Sequence, residues 1–172
     1  MTADDEVEYG VHLPLIDLGT SWSLPVLKAY VRAAAESGYR HLCANDHLLF
    51  SLPWLDGPTV LAAVVEESRD MTLATTASLP VLRGPVQLAK TLAALDVLSG
   101  GRLVVGVAPG SSASDYAAVG LRFQERWRRF DEAVQVLRAL LHGGAAGFEG
   151  EFYSTRGFAL ELRSVQRPGP PI

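Results

Sequence analysis

Four short apolar runs alternate along the chain with longer stretches in which apolar residues recur every three or four positions. The runs are "YGVHLPLI" (9–16), "RHLCAN" (40–45), "MTLATTAS" (71–78) and "RLVVGVA" (102–108). Each is short, apolar and bounded by polar or Gly/Pro punctuation, which is the pattern of a strand. Their starts lie roughly thirty residues apart, the length of a strand plus a crossover helix.

The intervening stretches carry helix punctuation. Ser23 is placed to cap a first helix with Pro25 in its first turn, running through Leu27, Tyr30, Val31 and Ala34 to a stop at Gly38, where glycine can take the left-handed conformation. A second helix is expected over "DGPTVLAAVVEE" (56–67), capped by Asp56 or Gly57. A third starts at Pro85, aligns Leu88, Leu92 and Leu95, and ends in "LSGGR". In that return the two glycines permit the tight turn and Arg102 anchors it. The fourth places Phe123, Trp127, Phe130, Val134, Leu137 and Leu141 on one stripe; the run is short and its knobs are aromatic, so it packs on a sheet rather than in a coiled coil. Trp127, Phe130 and Asp131 are accordingly read as core or helix-surface residues.

Strict alternation of strand and helix predicts parallel strands with right-handed crossovers, and runs as apolar as "LVVGVA" imply that both sheet faces are covered. Two architectures fit: an open doubly wound sheet, or about the first four of the eight units of a TIM-type (β/α) barrel. A hairpin-like segment, "GFEGEFYSTRGFALE", follows the fourth unit, and "RPGPPI" reads as a linker toward a further strand. The expected organisation is one domain over 1–172, with a flexible tail at 1–8 and an insertion and linker at 143–172.

Composition adjusts this picture in three places. A net charge of -4 offers no reason to expect a nucleic acid partner, and the arginines of "RFQERWRRF" are interleaved with Glu125, Asp131 and Glu132 as on a solvated helix face. The one cysteine, Cys43, lies in a strand and reads as a small buried hydrophobe. The acidic N-terminus has neither signal-peptide nor transit-peptide character, and no apolar run reaches the ~18 residues of a membrane span. A cytoplasmic protein without a membrane association is expected.

The candidate chemistry lies at the strand ends, where parallel α/β folds collect their sites. Strand one ends near Asp17. The second ends in Asn45, Asp46 and His47, the third in Thr75, Thr76, Ala77 and Ser78, and the fourth in Pro109, Gly110, Ser111, Ser112 and Asp115. From the residues alone Asp46 is either a rim carboxylate or a turn cap, and His47 either an acid/base group or a satisfied loop histidine. "GVAPGSS" lacks the Gly-Lys-Ser/Thr of a P-loop and the full glycine spacing of a dinucleotide fingerprint. No residues have metal-ligand spacing, and no serine sits in a nucleophile elbow.

In order along the chain, "GVHLPL", "AAESGYRHLCANDHLL", "LPVLRGPVQLAKTLAALDVLSGGRLVVGVAPG", "DYAAVGLRFQERWRRFDEAVQVLRALL", "FEGEFY" and "QRPGPPI" resemble the N-terminal half of the bacterial luciferase-like monooxygenase superfamily, above all its deazaflavin (coenzyme F420)-dependent oxidoreductases. The resemblance implies a (β/α)8 barrel with an insertion after the fourth unit. It also implies a flavin-type ring over the C-terminal mouth, with F420 as the cofactor and FMN as the alternative. It assigns His47 and Asp46 to catalysis. Asn45, Thr75, Thr76, Ala77, Ser78, Pro109, Gly110 and Ser111 become cofactor-binding residues, with a non-prolyl cis peptide within 75–78. Ser111 stands where the family's sugar-phosphate dehydrogenases carry an acidic residue, which weakens that substrate class. In the family, loops of the second half largely hold the cofactor's phosphate tail.

The function expected is hydride transfer or monooxygenation of a small organic substrate, in a homodimer formed through helices of the first half. A non-catalytic half-barrel that self-associates or binds a partner, with strand edges open at its first and fourth strands, is the alternative.

Overall fold

The computed structural model describes residues 7–19, 22–143 and 147–172. Four parallel strands, β1 (Gly10–His12), β2 (His41–Ala44), β3 (Thr72–Ser78) and β4 (Leu103–Val107), form one sheet in chain order. They alternate with α1 (Leu24–Glu36), α2 (Gly57–Ala63), the short α3 (Pro80–Arg83) leading into α4 (Pro85–Leu98), then α5 (Ala113–Ala118) and α6 (Arg126–Leu141). Register aligns Val11, Leu42, Leu73 and Leu103 across the sheet. These are the parallel (β/α) units of the TIM-barrel type read from the sequence. Most of the expected tail at 1–8 lies outside the described residues.

The caps form as read: Ser23 Oγ accepts from Val26 N at 3.4 Å, and Asp56 Oδ2 accepts from Thr59 N at 3.0 Å. Arg102 anchors the glycine turn by donating to the Ser99 and Met71 carbonyls at 2.7 and 2.5 Å. Leu42, Leu73, Leu103 and Val105 point to the helices and pack in one core with Val31, Leu61, Leu88, Leu92 and Leu137, all nearly solvent-free. Each such leucine contributes roughly 1.5–3 kcal/mol through burial.

Five expectations change. The strand read over 9–16 keeps only Gly10–His12, because Pro14 has no N–H for a ladder. Beyond it the chain pairs with the loop after β2 instead: Ile16 bridges Trp54 in antiparallel fashion and Asp17 N donates to Pro53 O at 3.0 Å. The second helix stops at Ala63 rather than running to 67, where the β-branched Val64 and Val65 follow. The fourth helix is divided, a 3-10 turn at Phe123–Glu125 preceding α6. Its buried residues are Ala133, Val136, Leu137, Leu140 and Leu141, while Trp127 is 57% exposed. Ala133 is drawn in against Val81 and Leu82 of α3, which turns the aromatic end away from the core.

The fifth concerns the sheet faces. Among the described residues helices cover one face only; on the other, Val104 is 39% exposed, and His12 and the half-buried Cys43 lie in the same register row.

The C-terminal segment holds a hairpin-like turn followed by a run clamped along α4 and β4. Glu149 and Ser154 form an antiparallel bridge. Glu132 accepts the backbone N–H groups of Glu151, Phe152 and Tyr153 at 2.8–3.2 Å, holding the turn to α6. Farther on, Gly169 and Pro170 are buried and Val105 N donates to Pro171 O at 2.8 Å, on the edge of β4.

Candidate active site

The C-terminal ends of β2, β3 and β4 converge on a cavity of about 550 Å³. Asn45, Asp46 and His47 enter it from β2, Thr76, Ala77 and Leu79 from β3, and Ala108, Pro109, Gly110 and Ser111 from β4. The peptide bond Thr76–Ala77 is cis and non-prolyl, at the strand end for which the resemblance implies one. Gly106 and Gly110 let the backbones approach closely. A Cβ at Gly106 would lie 2.3 Å from Thr75 O, and Gly110 has φ +84 with Leu82 Cδ1 3.3 Å from the Cβ position; glycine alone takes both places without strain.

Two of the ten predicted site residues lie outside the lining. Thr75 is 1% exposed and its Oγ1 donates to Gly106 O at 2.8 Å, tying β3 to β4. Ser78 is equally buried, and its Oγ has no partner among the described residues. Asp17 is also elsewhere, its carboxylate accepting from Gly19 N at 2.8 Å in a local turn.

Asp46 lines the cavity, yet its chemistry is committed. Its side chain is 4% exposed, and both oxygens are taken by Arg83: Nε to Oδ2 at 2.5 Å and Nη2 to Oδ1 at 2.6 Å. The hydrogen bond to Asp46 holds the guanidinium above its ordinary value. A carboxylate forked in this way is held in place and fixes the segment that carries His47. His47 stands beside it on the rim. Its ring packs 4.4 Å from the Trp54 ring centroid and 4.8 Å from that of Phe50, so its orientation is set by aromatic contact.

The far wall was not anticipated. Phe123, Arg126 and Trp127 line the cavity opposite the strand ends. The Arg126 guanidinium carbon lies 4.1 Å from the Phe123 ring centroid, a cation–π distance, and Nη1 donates to Phe123 O at 3.3 Å. Asp115 closes one side: it is 1% exposed, accepts from Ser112 Oγ at 2.9 Å, and returns its own N–H to that hydroxyl at 3.2 Å. Tyr116 beneath it is buried, which pushes its phenol up to about 12; its hydroxyl donates to Pro109 O at 2.5 Å and fixes the loop.

A flat heteroaromatic ring fits such a cavity. Ala77, Ala108 and Gly110 leave the strand ends without long side chains, so a ring can lie against backbone, and Phe123 and Trp127 offer an aromatic wall. Among the described residues Arg126 is the only arginine or lysine in the lining.

Residues 15–172 match the family model of the luciferase-like monooxygenases. The chain is 31% identical over 141 residues to an F420-dependent glucose-6-phosphate dehydrogenase of Gordonia bronchialis, covering 73% of this chain and 40% of that one. It is 27% identical over 174 residues to an FMNH(2)-dependent dimethylsulfone monooxygenase of Pseudomonas putida, covering 96% and 47%. Among solved structures it is similar to the monooxygenase RslO1 of Streptomyces bottropensis, with a TM-score of 0.83 and 29% identity over 95% of this chain and 52% of that one. The chain spans about half the length of the relatives it matches.

Proposed function

The chain belongs to the luciferase-like monooxygenase family, and from that premise we propose that it carries the ring-binding site of an oxidoreductase acting on a small organic molecule with F420, or alternatively FMN, as cofactor. One observation carries the reading: three parallel strand ends, lined by small residues at Ala77, Ala108 and Gly110, meet in one cavity with His47 on its rim. When bound, such a ring supplies hydride transfer or, in its flavin form, oxygen activation.

The chain's own residues supply orientation and proton handling. The backbone from Thr76 to Ala77 and from Pro109 to Gly110 offers flat contact, and the Asn45 amide and Ser111 hydroxyl offer hydrogen bonds at the edge. Phe123 and Trp127 exclude water on the far side. The His47 imidazole, held by Phe50 and Trp54, takes or gives a proton at the substrate. Ser111 in place of an acidic residue argues against a sugar phosphate as substrate. Thr75 acts from behind the lining, its hydroxyl tying β3 to β4 through Gly106 O.

F420 ranks first because the relative at 31% identity is F420-dependent; an FMNH(2)-dependent relative keeps the second choice open. A homodimer is supported by a groove of about 510 Å³ between α2 and α4, lined by Pro58, Ala62, Ala94, Leu95 and Leu98. No helix among the described residues is long and apolar enough to cross a membrane, and a cytoplasmic location accords with the proposed cofactors. The second reading, a non-catalytic half-barrel that self-associates, draws support from the half-exposed sheet face around Cys43 and Val104.

Titration of the purified chain with F420 and with FMN, following ligand fluorescence, tests the proposal. Saturable binding, tighter for F420 and lost in Ala108→Trp, is the expected result. A folded chain that binds neither ligand overturns the cofactor reading, and an oligomer in light scattering would then favour the second.

A further inference from the structure

Loop 47–55 carries His47, Phe50 and Trp54, and both of its stems end on a carboxylate. Asp46 precedes the loop and Asp56 follows it. A single guanidinium reaches both. Arg83, the last residue of α3, grips Asp46 through Nε and Nη2 at 2.5 and 2.6 Å, and the same Nη2 donates to Asp56 Oδ1. The other oxygen of Asp56 is bound to α2, accepting from Thr59 N at 3.0 Å and Thr59 Oγ1 at 2.5 Å. Leu79 N adds a longer contact to Asp46 Oδ2 at 3.4 Å. The end of β2, the start of α2 and the segment after β3 therefore meet on one side chain.

We propose that Arg83 is the positioning residue of the site: it staples the two stems of loop 47–55 together and thereby sets where the His47 ring stands in the cavity. The assignment deepens the oxidoreductase reading and rests on it for its functional meaning. The geometry needs a planar fork. Lysine reproduces the charge but not two parallel donors plus a third at Asp56. The near half of the loop has no such support, since Leu48, Leu49, Phe50 and Leu52 are all exposed, while its far end is pinned to the chain after β1 by Asp17 N to Pro53 O at 3.0 Å and Leu55 N to Leu15 O at 2.9 Å. His47 has two aromatic neighbours in the same loop; Trp54 is bridged to Ile16, so a shift of the Asp46 stem moves the His47 ring against a fixed indole.

The test uses Arg83→Lys, Arg83→Ala and Asp56→Asn, with His47→Gln to assign the His47 Hε1 resonance. Asparagine still caps a helix, so D56N removes one arm of the staple and leaves α2 its cap. Packed between two aromatic rings, His47 Hε1 carries a ring-current shift, which a purely structural role of Arg83 would leave in place. The expected result is that R83A moves this resonance toward its free-histidine position and that added guanidinium ion restores it. D56N and R83K should move it part of the way. Amide exchange at 47–55 quickens at least about tenfold in R83K while that of α4 is unchanged. If R83A fails to fold, R83K and D56N decide alone. An unmoved Hε1 resonance with unchanged exchange in those two variants overturns the staple. Neither readout needs a cofactor, so failure of the unaltered chain to bind F420 or FMN would overturn the functional reading and leave this result distinct.

Discussion

Asp96 and Gln166, seventy positions apart, are joined twice: the Gln166 backbone N–H donates to Asp96 Oδ2 at 3.1 Å and its side-chain amide to Oδ1 at 2.7 Å. Val165 N adds a third donor at 2.7 Å, and the carboxylate is fully buried at the end of α4. The same Gln166 amide reaches Leu103 O at 2.8 Å, so one side chain ties the C-terminal segment to both α4 and β4.

Asp96→Ala strands these donors and is expected to cost about 2–4 kcal/mol in urea unfolding. The exposed neighbour substitution Val97→Ala should stay within about 0.5 kcal/mol. Faster proteolysis after residue 160 in D96A would locate the loss at the clamp; equal losses in the two variants would refute it.

Gly106 and Gly120 separate two reasons for glycine. A Cβ at Gly106 meets Thr75 O at 2.3 Å, whereas Gly120 has φ +72 in open space. Gly106→Ala should cost more than about 2 kcal/mol, because the β3–β4 pairing must shift. Gly120→Ala should cost about 1 kcal/mol of backbone strain alone. Denaturant midpoints with unchanged m-values check both.

Acid should loosen the hairpin-like turn. Burial pushes the Glu132 carboxyl up, but hydrogen bonds from Phe152, Glu151 and Tyr153 and the nearby Arg128 outweigh it and hold the group below 4.5. A depressed carboxyl contributes stability that is complete above the unfolded value of about 4.3 and is lost as pH falls through the lower folded value. The melting temperature of the parent chain should therefore fall more steeply than that of Glu132→Gln between about pH 4.5 and 3. Parallel profiles would contradict the assignment.

His47→Gln should leave the melting temperature within about 2–4 °C of the parent and the cofactor affinity within about threefold. Turnover of any accepted substrate, sought in a panel of small alcohols and aldehydes with F420, should fall ~10²–10⁴-fold, the ordinary contribution of a general acid or base. An unchanged rate would remove His47 from the chemistry.

How much of this was legible in the sequence differs by element. The strands and the rim were, because a parallel sheet demands apolar runs and puts its polar residues at the ends. Asp46 could be found but not understood, since Arg83 lies 37 positions away and nothing local announces the pairing. Phe123 and Trp127 were missed because helical spacing reads as core, and Arg126 because it stands among interleaved charges as on a solvated helix face. A signal was present nonetheless. A stripe from 123 to 141 at 1.5 Å per residue spans about 28 Å, while a five-residue strand spans only about 17 Å. The excess had to overhang the strand ends, where a cavity wall is built. The short α5 left no periodicity to detect, its six residues being mostly small or polar.

Under the proposed function the cofactor ring lies on the ends of β2, β3 and β4, and amide exchange of the full chain with and without saturating F420 can locate it. Protection is expected at 45–47, 76–79 and 108–112, together with the facing turn at 123–127. Protection in the groove between α2 and α4, or on the open sheet face around Cys43 and Val104, would contradict it.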